Sequence, residues 1–305
     1  MSHGPTKYPS KGACIYCGKQ NILLTDEHVV PFSIGGKHII SKASCVMCAN
    51  ITKKFEQDVM RDLWGPARAS YNAPTRRKKE RAKSFVLKDP KGVADDLTVL
   101  AQHYPAPMIF YYMPAAGILA GTDRLFDRSR EWVLKANMDD ARAKEFEKKH
   151  PGRLTFSFKN IPQSFGRMLA KIGYCQVMTV LDCSDFVPIC LPYILGKKSN
   201  VSYVVGSSPT NAPPQPELGY FLRTIQVSAN NRMLLVVEVR LLANNDTPTY
   251  HVVVGEVIGS ENIERISTKL GAVESSEEVD SFSSVSATNN NYPWTPQVWP
   301  AKYSG

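Results

Sequence analysis

The chain has 305 residues, 43 % of them apolar, and a formal net charge of +9. That length and apolar content suffice for a sizeable buried core, which excludes a disordered or fibrous chain and fits either two domains or a small finger joined to a larger one. No uninterrupted apolar run of about eighteen residues occurs and Met1-Ser2-His3-Gly4-Pro5 lacks the apolar stretch of a signal peptide, so no membrane association and a cytoplasmic location are expected. The charge is lopsided: residues 1–85 carry 15 Lys+Arg against 6 Asp+Glu, whereas the remainder carries 22 of each. A positive field concentrated on one end of the chain suits a polyanionic partner.

In chain order, the first feature is a Cys-x2-Cys pair, Cys14 and Cys17, answered by a second, Cys45 and Cys48. Four thiolates in two such knuckles can close a tetrahedral zinc site and fix a stretch too short to hold a core of its own, with buried reduced thiols as the plain alternative. Between the pairs, residues 21–30 read as a strand running into Asp26-Glu27-His28, residues 31–38 as a loop containing Gly35-Gly36, and residues 39–44 as a short return strand. Ile51, Phe55, Val59 and Leu63 then recur at helical spacing, which predicts a helix from about Ala49 to Trp64 that Gly65-Pro66 ends. Asn50, at the start of that helix, has the character of an N-cap.

These parts, namely Cys14/Cys17, Glu27-His28 followed by Pro31, Gly35-Gly36, Cys45/Cys48 and Asn50-Ile51-Thr52, resemble the HNH endonucleases, the ββα-metal nucleases, in the branch stapled by four cysteines. The likeness covers residues 12–66 and is silent on the other three quarters of the chain. It implies a structural Zn²⁺ on Cys14, Cys17, Cys45 and Cys48, His28 as general base, and Glu27 as first ligand of a catalytic Mg²⁺ or Mn²⁺. The family's second ligand is an Asn or His directly after the last cysteine. Here that residue is Ala49, so Asn50, one position on, is the substitute, with Asp26 as an alternative ligand. His38, beside the glycine pair, is either a phosphate contact, a third imidazole or an exposed loop residue. The activity implied is metal-dependent hydrolysis of phosphodiester bonds in DNA, double-stranded above all, with a homodimer left open. A zinc-finger DNA-binding protein without catalysis, and a nuclease effector gated by a ligand-sensing carboxy-terminal part, are the competing readings.

Beyond the finger (residues 1–66), a basic connector over residues 67–85 culminates in Arg76, Arg77, Lys78, Lys79, Arg81 and Lys83, which are expected to contact phosphates unless the run is only a solvated linker. Residues 86–265 read as an α+β domain of unassigned role. Its expected strands are 107–113, 154–158, 220–227, 233–242 and 249–257, the last two forming a hairpin through Ala243 to Pro248. Its expected helices are 138–149 and 163–180, the second with Phe165, Met168, Leu169, Ile172 and Val177 on one face and packed on an antiparallel sheet. Cys175, Cys183 and Cys190 read as reduced core residues. The composition of residues 266–305 predicts a disordered tail in which Trp294 and Trp299 stand out.

Overall fold

The computed structural model describes residues 5–76, 78–89, 92–215, 219–271, 273–274, 278–279 and 282–290. The finger is built on a three-stranded sheet in the order β1-β3-β2. Strand β1 (Thr6–Tyr8) runs parallel to β3 (His38–Cys45), and β2 (Leu24–His28) pairs antiparallel with its other edge. The β2–β3 register shifts between Thr25 and Glu27, so that Asp26 alone lies opposite the longer stretch Ser41-Lys42-Ala43. This bulge is held by the Asp26 carboxylate, which accepts the Lys42 amide at 3.0 Å while Lys42 takes a φ of 45°. Helix α1 (Val46–Asp58) follows directly, with the Cys45 thiol as its N-cap, and continues as a π-turn through Leu63 that the Trp64 amide closes on the Val59 carbonyl at 2.9 Å. The helix therefore begins three residues earlier than its apolar spacing suggests, and Asn50 is an interior residue rather than its cap.

Gly65-Pro66 does not end the helical run but starts α2 (Gly65–Ser70), where the proline sits in the first turn and its missing N–H costs nothing. Two hairpins come next: β4 (Ser84–Leu87) with β5 (Leu97–Leu100), and β6 (Met108–Tyr112) with β7 (Val133–Asn137). Helix α3 (Asp140–Lys149) is capped by Asp139, whose carboxylate accepts the Arg142 amide. The strand expected at 154–158 is absent; Phe156 and Phe158 are exposed, and the segment is an extended connection pinned by the Tyr104 hydroxyl on the Thr155 carbonyl and the Lys159 amide on Asp62. Alternation alone does not make a strand; the segment must also find a pairing partner.

Helix α4 (Pro162–Met178) is the axis of the molecule. After it come β8 (Val187–Pro188), α5 (Leu191–Ile194), β9 (Val205–Ser207), the meander β10 (Tyr220–Ala229), β11 (Arg232–Leu241) and β12 (Tyr250–Val257), and α6 (Ser260–Leu270). The short β13 (Val273–Glu274) and β14 (Glu278–Val279) precede β15 (Phe282–Asn290), which pairs antiparallel with β10. The large sheet runs β13-β15-β10-β11-β12-β8, with β9 added on β12 and β14 on β15. The unstructured tail expected from residue 266 thus begins inside α6, whose Ile263, Ile266 and Leu270 pack on the core, and residues 282–290 carry a strand. Trp294 and Trp299 lie outside the described residues.

Alternation divides the sheet into two faces. Leu222, Val237, Val239, Tyr250 and Val252 face α4, and Ile225, Val227, Leu234, Val236 and Val253 are covered by Ala116, Ile118 and Leu119. Gly173 lets α4 lie close on β12, since a Cβ there would come within 2.7 Å of the Val252 side chain. The opposite side of α4 meets the finger: the Tyr174 hydroxyl donates to the Ile15 carbonyl at 2.5 Å, and Tyr16 meets the Cys175 thiol at 3.3 Å. An aromatic chain crosses the whole structure, from Trp64 to Phe165 (ring centres 5.7 Å apart) and on to Tyr250 (5.6 Å). Each such buried ring contributes roughly 2–3 kcal/mol of apolar burial, so the finger and the sheet share one core. No helix among the described residues is long and apolar enough to cross a membrane.

Candidate active site and zinc cluster

The four knuckle cysteines come together at the base of the finger with every pair of sulfurs within 4.8 Å. Cys17 Sγ and Cys45 Sγ are 3.8 Å apart, matching the edge of about 3.8 Å in a tetrahedron with Zn–S bonds of about 2.3 Å. Backbone amides support the sulfurs, Cys45 N–H on Cys14 Sγ at 3.4 Å and Cys48 N–H on Cys45 Sγ at 3.5 Å. Burial opposes ionisation of Cys45, yet the Cys48 amide and the neighbouring thiols bring it down to about 7. None of the seven cysteines is in a disulfide. Three buried sulfurs and one exposed, all converging, fit a structural zinc.

The loop after β2 is shaped by its two glycines for two different reasons. Gly35 has a φ of 92°, which caps the short turn Phe32–Ile34, whereas a Cβ on Gly36 would sit 1.8 Å from the Val30 carbonyl oxygen. This close turn sends the chain back at once, so the His38 carbonyl accepts the Val29 amide at 2.9 Å and His28 stands at the end of the hairpin. The bulge and this turn give Glu27 and His28 opposite destinations: Glu27 is buried, and His28 is half-buried beside Phe32.

On the outer side, Arg76 lies with its guanidinium 3.1 Å from His28 Nε2 and 5.4 Å from the centre of the Phe32 ring. A guanidinium can only donate, so His28 Nε2 is the unprotonated acceptor. Burial, then the charges of Lys171 and Arg76, outweigh the Gly36 backbone and Asp26 and bring His28 down to about 4, which keeps the imidazole neutral at neutral pH. The path that delivers Arg76 is fixed by Arg68, which donates to the carbonyls of Ser33 (3.3 Å), Met60 (3.0 Å) and Pro74 (3.4 Å).

The inner side differs from the expected catalytic metal site. Glu27 Oε1 is 2.9 Å from Lys171 Nζ, and Glu56 Oε1 on α1 is 3.0 Å from the same ammonium, as an ion pair whose angle is not that of a hydrogen bond. Lys171 Nζ also donates to the His28 carbonyl and, at 3.5 Å, to the Val29 carbonyl. Burial alone would lower the Lys171 pKa, but Glu27 and then Glu56 raise it above its ordinary value. Asn50 is exposed, on the solvent side of α1 with Val46, Met47, Lys53 and Lys54, while Cys48, Thr52 and Phe55 mark the buried side. Glu27 and Asn50 are therefore not brought together, and Asp26 is spent on the bulge and lies 3.8 Å from Lys7. The donor set expected for a catalytic Mg²⁺ or Mn²⁺ does not fit this arrangement.

His38 is buried rather than loop-exposed, with its Nδ1 3.0 Å from the Tyr8 hydroxyl and its ring edge-on to Tyr220. Burial brings it down to about 4, so it is a neutral plug between the finger and β10. In the connector, Arg76, Lys79 and Lys83 are exposed, and Lys78 opens a 3₁₀ turn through Glu80. Arg81 is half-buried with its guanidinium on the Ala73 carbonyl, and Arg77 lies outside the described residues. Sequence reasoning missed Lys171, Glu56 and Arg68. For Lys171 a signal existed: it is the one charge between Met168 and Met178 in an apolar helix, and such a residue needs a buried partner.

Residues 14–63 match the family described as HNH endonuclease. No curated protein and no solved structure matches the chain.

Proposed function

We propose that this protein is an endonuclease that hydrolyses phosphodiester bonds of DNA, with His28 as general base and a zinc ion that serves structure only. The family match over residues 14–63 supports a nuclease acting on nucleic acid. The observation that carries the residue assignment is the pairing of a neutral His28 Nε2 with the Arg76 guanidinium at 3.1 Å, beside an exposed Phe32. A phosphodiester drawn to Arg76 replaces the histidine as the acceptor of the guanidinium protons. His28 Nε2 is then released to take a proton from water, and the negative phosphate raises its basicity by opposing the charges that had lowered it. The hydroxide attacks phosphorus in line, the P–O3′ bond breaks with its electron pair on the 3′ oxygen, which takes a proton from solvent water, and a 5′-phosphate end remains. Arg76 stays on the phosphate as charge develops.

Zinc, in this reading, fixes Ile15 and the ends of β3 and α1 so that the hairpin presents His28 in one orientation. The exposed Lys79 and Lys83 extend the positive field along the same connector, giving affinity without base reading. Double-stranded DNA is the expected substrate. A second reading, a DNA-binding finger without catalysis, is favoured by the separation of Glu27 from Asn50. Plasmid nicking decides between them, run with Mg²⁺, with Mn²⁺ and with chelator. Cleavage by the wild type that His28→Ala abolishes while DNA binding persists supports the enzyme; binding without cleavage under every condition supports the second reading.

A further inference from the structure

We infer that the oxygen cage beneath His28 is a cation site filled by the chain's own lysine, so that Lys171 supplies the fixed positive charge between Glu27 and Glu56 and Glu27 holds no divalent metal. The cage consists of oxygens alone: two carboxylates from β2 and α1, and the backbone carbonyls of His28 and Val29. That is a hard donor set of the kind that holds Mg²⁺ or Mn²⁺. Its size is another matter. Separations of 2.9 and 3.0 Å from Nζ to the carboxylates fit an ammonium, whereas Mg–O bonds are about 2.1 Å, so a divalent ion could take the cage only with the ammonium gone and the carboxylates drawn inward.

The ammonium is also not exchangeable in the way an ion is. Lys171 is fully buried on a 17-residue helix gripped by the finger on one side and the sheet on the other. Its two backbone acceptors belong to His28 and its neighbour, so Lys171 fixes the chain at the residue assigned as base. It is a positioning residue, and it comes from α4, outside the segment that matches the nuclease family. The inference goes beyond the proposed cleavage reaction and does not depend on it, because occupancy of the cage can be read without nucleic acid.

The test is Mn²⁺ binding by the zinc-loaded full-length protein, followed by calorimetry and by thermal unfolding. The wild type should show no site that Glu27→Gln removes, and its melting temperature should not respond to Mn²⁺. Lys171→Ala empties the cage and should gain about one Mn²⁺ site, with a rise in melting temperature of about 5 °C at 100-fold excess over Kd. Lys171→Ala/Glu27→Gln should lose that gain. Should Lys171→Ala not fold without metal because the buried Glu27 and the half-buried Glu56 face each other, Lys171→Ala/Glu56→Gln keeps Glu27 and both carbonyls with one charge fewer and is read the same way. A stoichiometric Mn²⁺ site in the wild type that Glu27→Gln abolishes would overturn the inference, since Glu27 would then be a metal ligand. Failure of every folded Lys171 variant to gain a site would overturn it as well.

Discussion

At the scale of single residues, the candidate site separates what local chemistry announces from what only packing reveals. His28 and the glycine pair were legible because their demands are local: an imidazole at a strand end, and a turn with no room for a Cβ. Replacing His28 by Ala should lower cleavage by about 10²–10⁴-fold with zinc content and DNA affinity retained, as checked by nicking rates against metal analysis and gel shift. Gly36→Ala places a methyl group 1.8 Å from the Val30 carbonyl, so the hairpin must open. A loss of about 1–3 kcal/mol in urea unfolding is expected, larger than for Gly65→Ala, where a Cβ comes no closer than 3.9 Å to the Met60 carbonyl oxygen. Asn50 was read as a ligand or a cap; it lies inside α1 and so is not the cap, and its side chain is exposed. The error came from placing the helix start at the first apolar repeat, when Cys45 caps it earlier.

Among elements, the finger is held twice, by sulfur at its base and by α4 at its back. The periodicities of α1, α4 and the β10–β12 meander were legible because each buries a continuous stripe. The segment expected as a strand at 154–158 is an extended connection, because whether such a segment pairs depends on its tertiary surroundings and leaves no mark in a local window. Cys45→Ser removes a zinc ligand while the serine hydroxyl can still cap α1, so we expect zinc loss and a melting temperature lowered through the metal site, read by metal analysis and calorimetry. Because Phe55, Val59 and Trp64 also pack on α4, the remainder of the chain should keep its secondary structure by circular dichroism. Helix α6 offers a pH test. Burial would raise the Asp185 pKa, but the Asp182 amide, Lys269 and Arg265 hold it at about 2. A folded value below the unfolded one stabilises above about pH 4, and that contribution, on the order of 1–2 kcal/mol, disappears as pH falls from about 4 toward 2. Asp185→Asn should therefore be less stable than wild type at pH 7 and converge with it near pH 2, in denaturant titrations across that range.

For the whole molecule, the sequence suggested a finger, a connector and a larger α+β domain, and the pattern of expected strands and helices correctly indicated the α+β class. What composition could not convey is that the apolar surface on both sides belongs to one core, since α4 is buried along two faces. A chain cut after residue 85 should accordingly fail to fold even with zinc, exposing Tyr16, Phe55 and Trp64 to water. Dye binding and poor amide dispersion in NMR would show this, whereas a well-dispersed, zinc-loaded fragment would mean that the finger stands alone.

The reach of Lys171 into the hairpin also sets an order in time. Residues 14–63 are made roughly a hundred residues before Lys171, an interval of about 5–20 s at 5–20 residues per second. Throughout that interval Glu27 and Glu56 are without their ammonium, and the backbone carrying His28 lacks its anchor. Competence on nucleic acid is thereby deferred until the later part of the chain has been synthesised and docked.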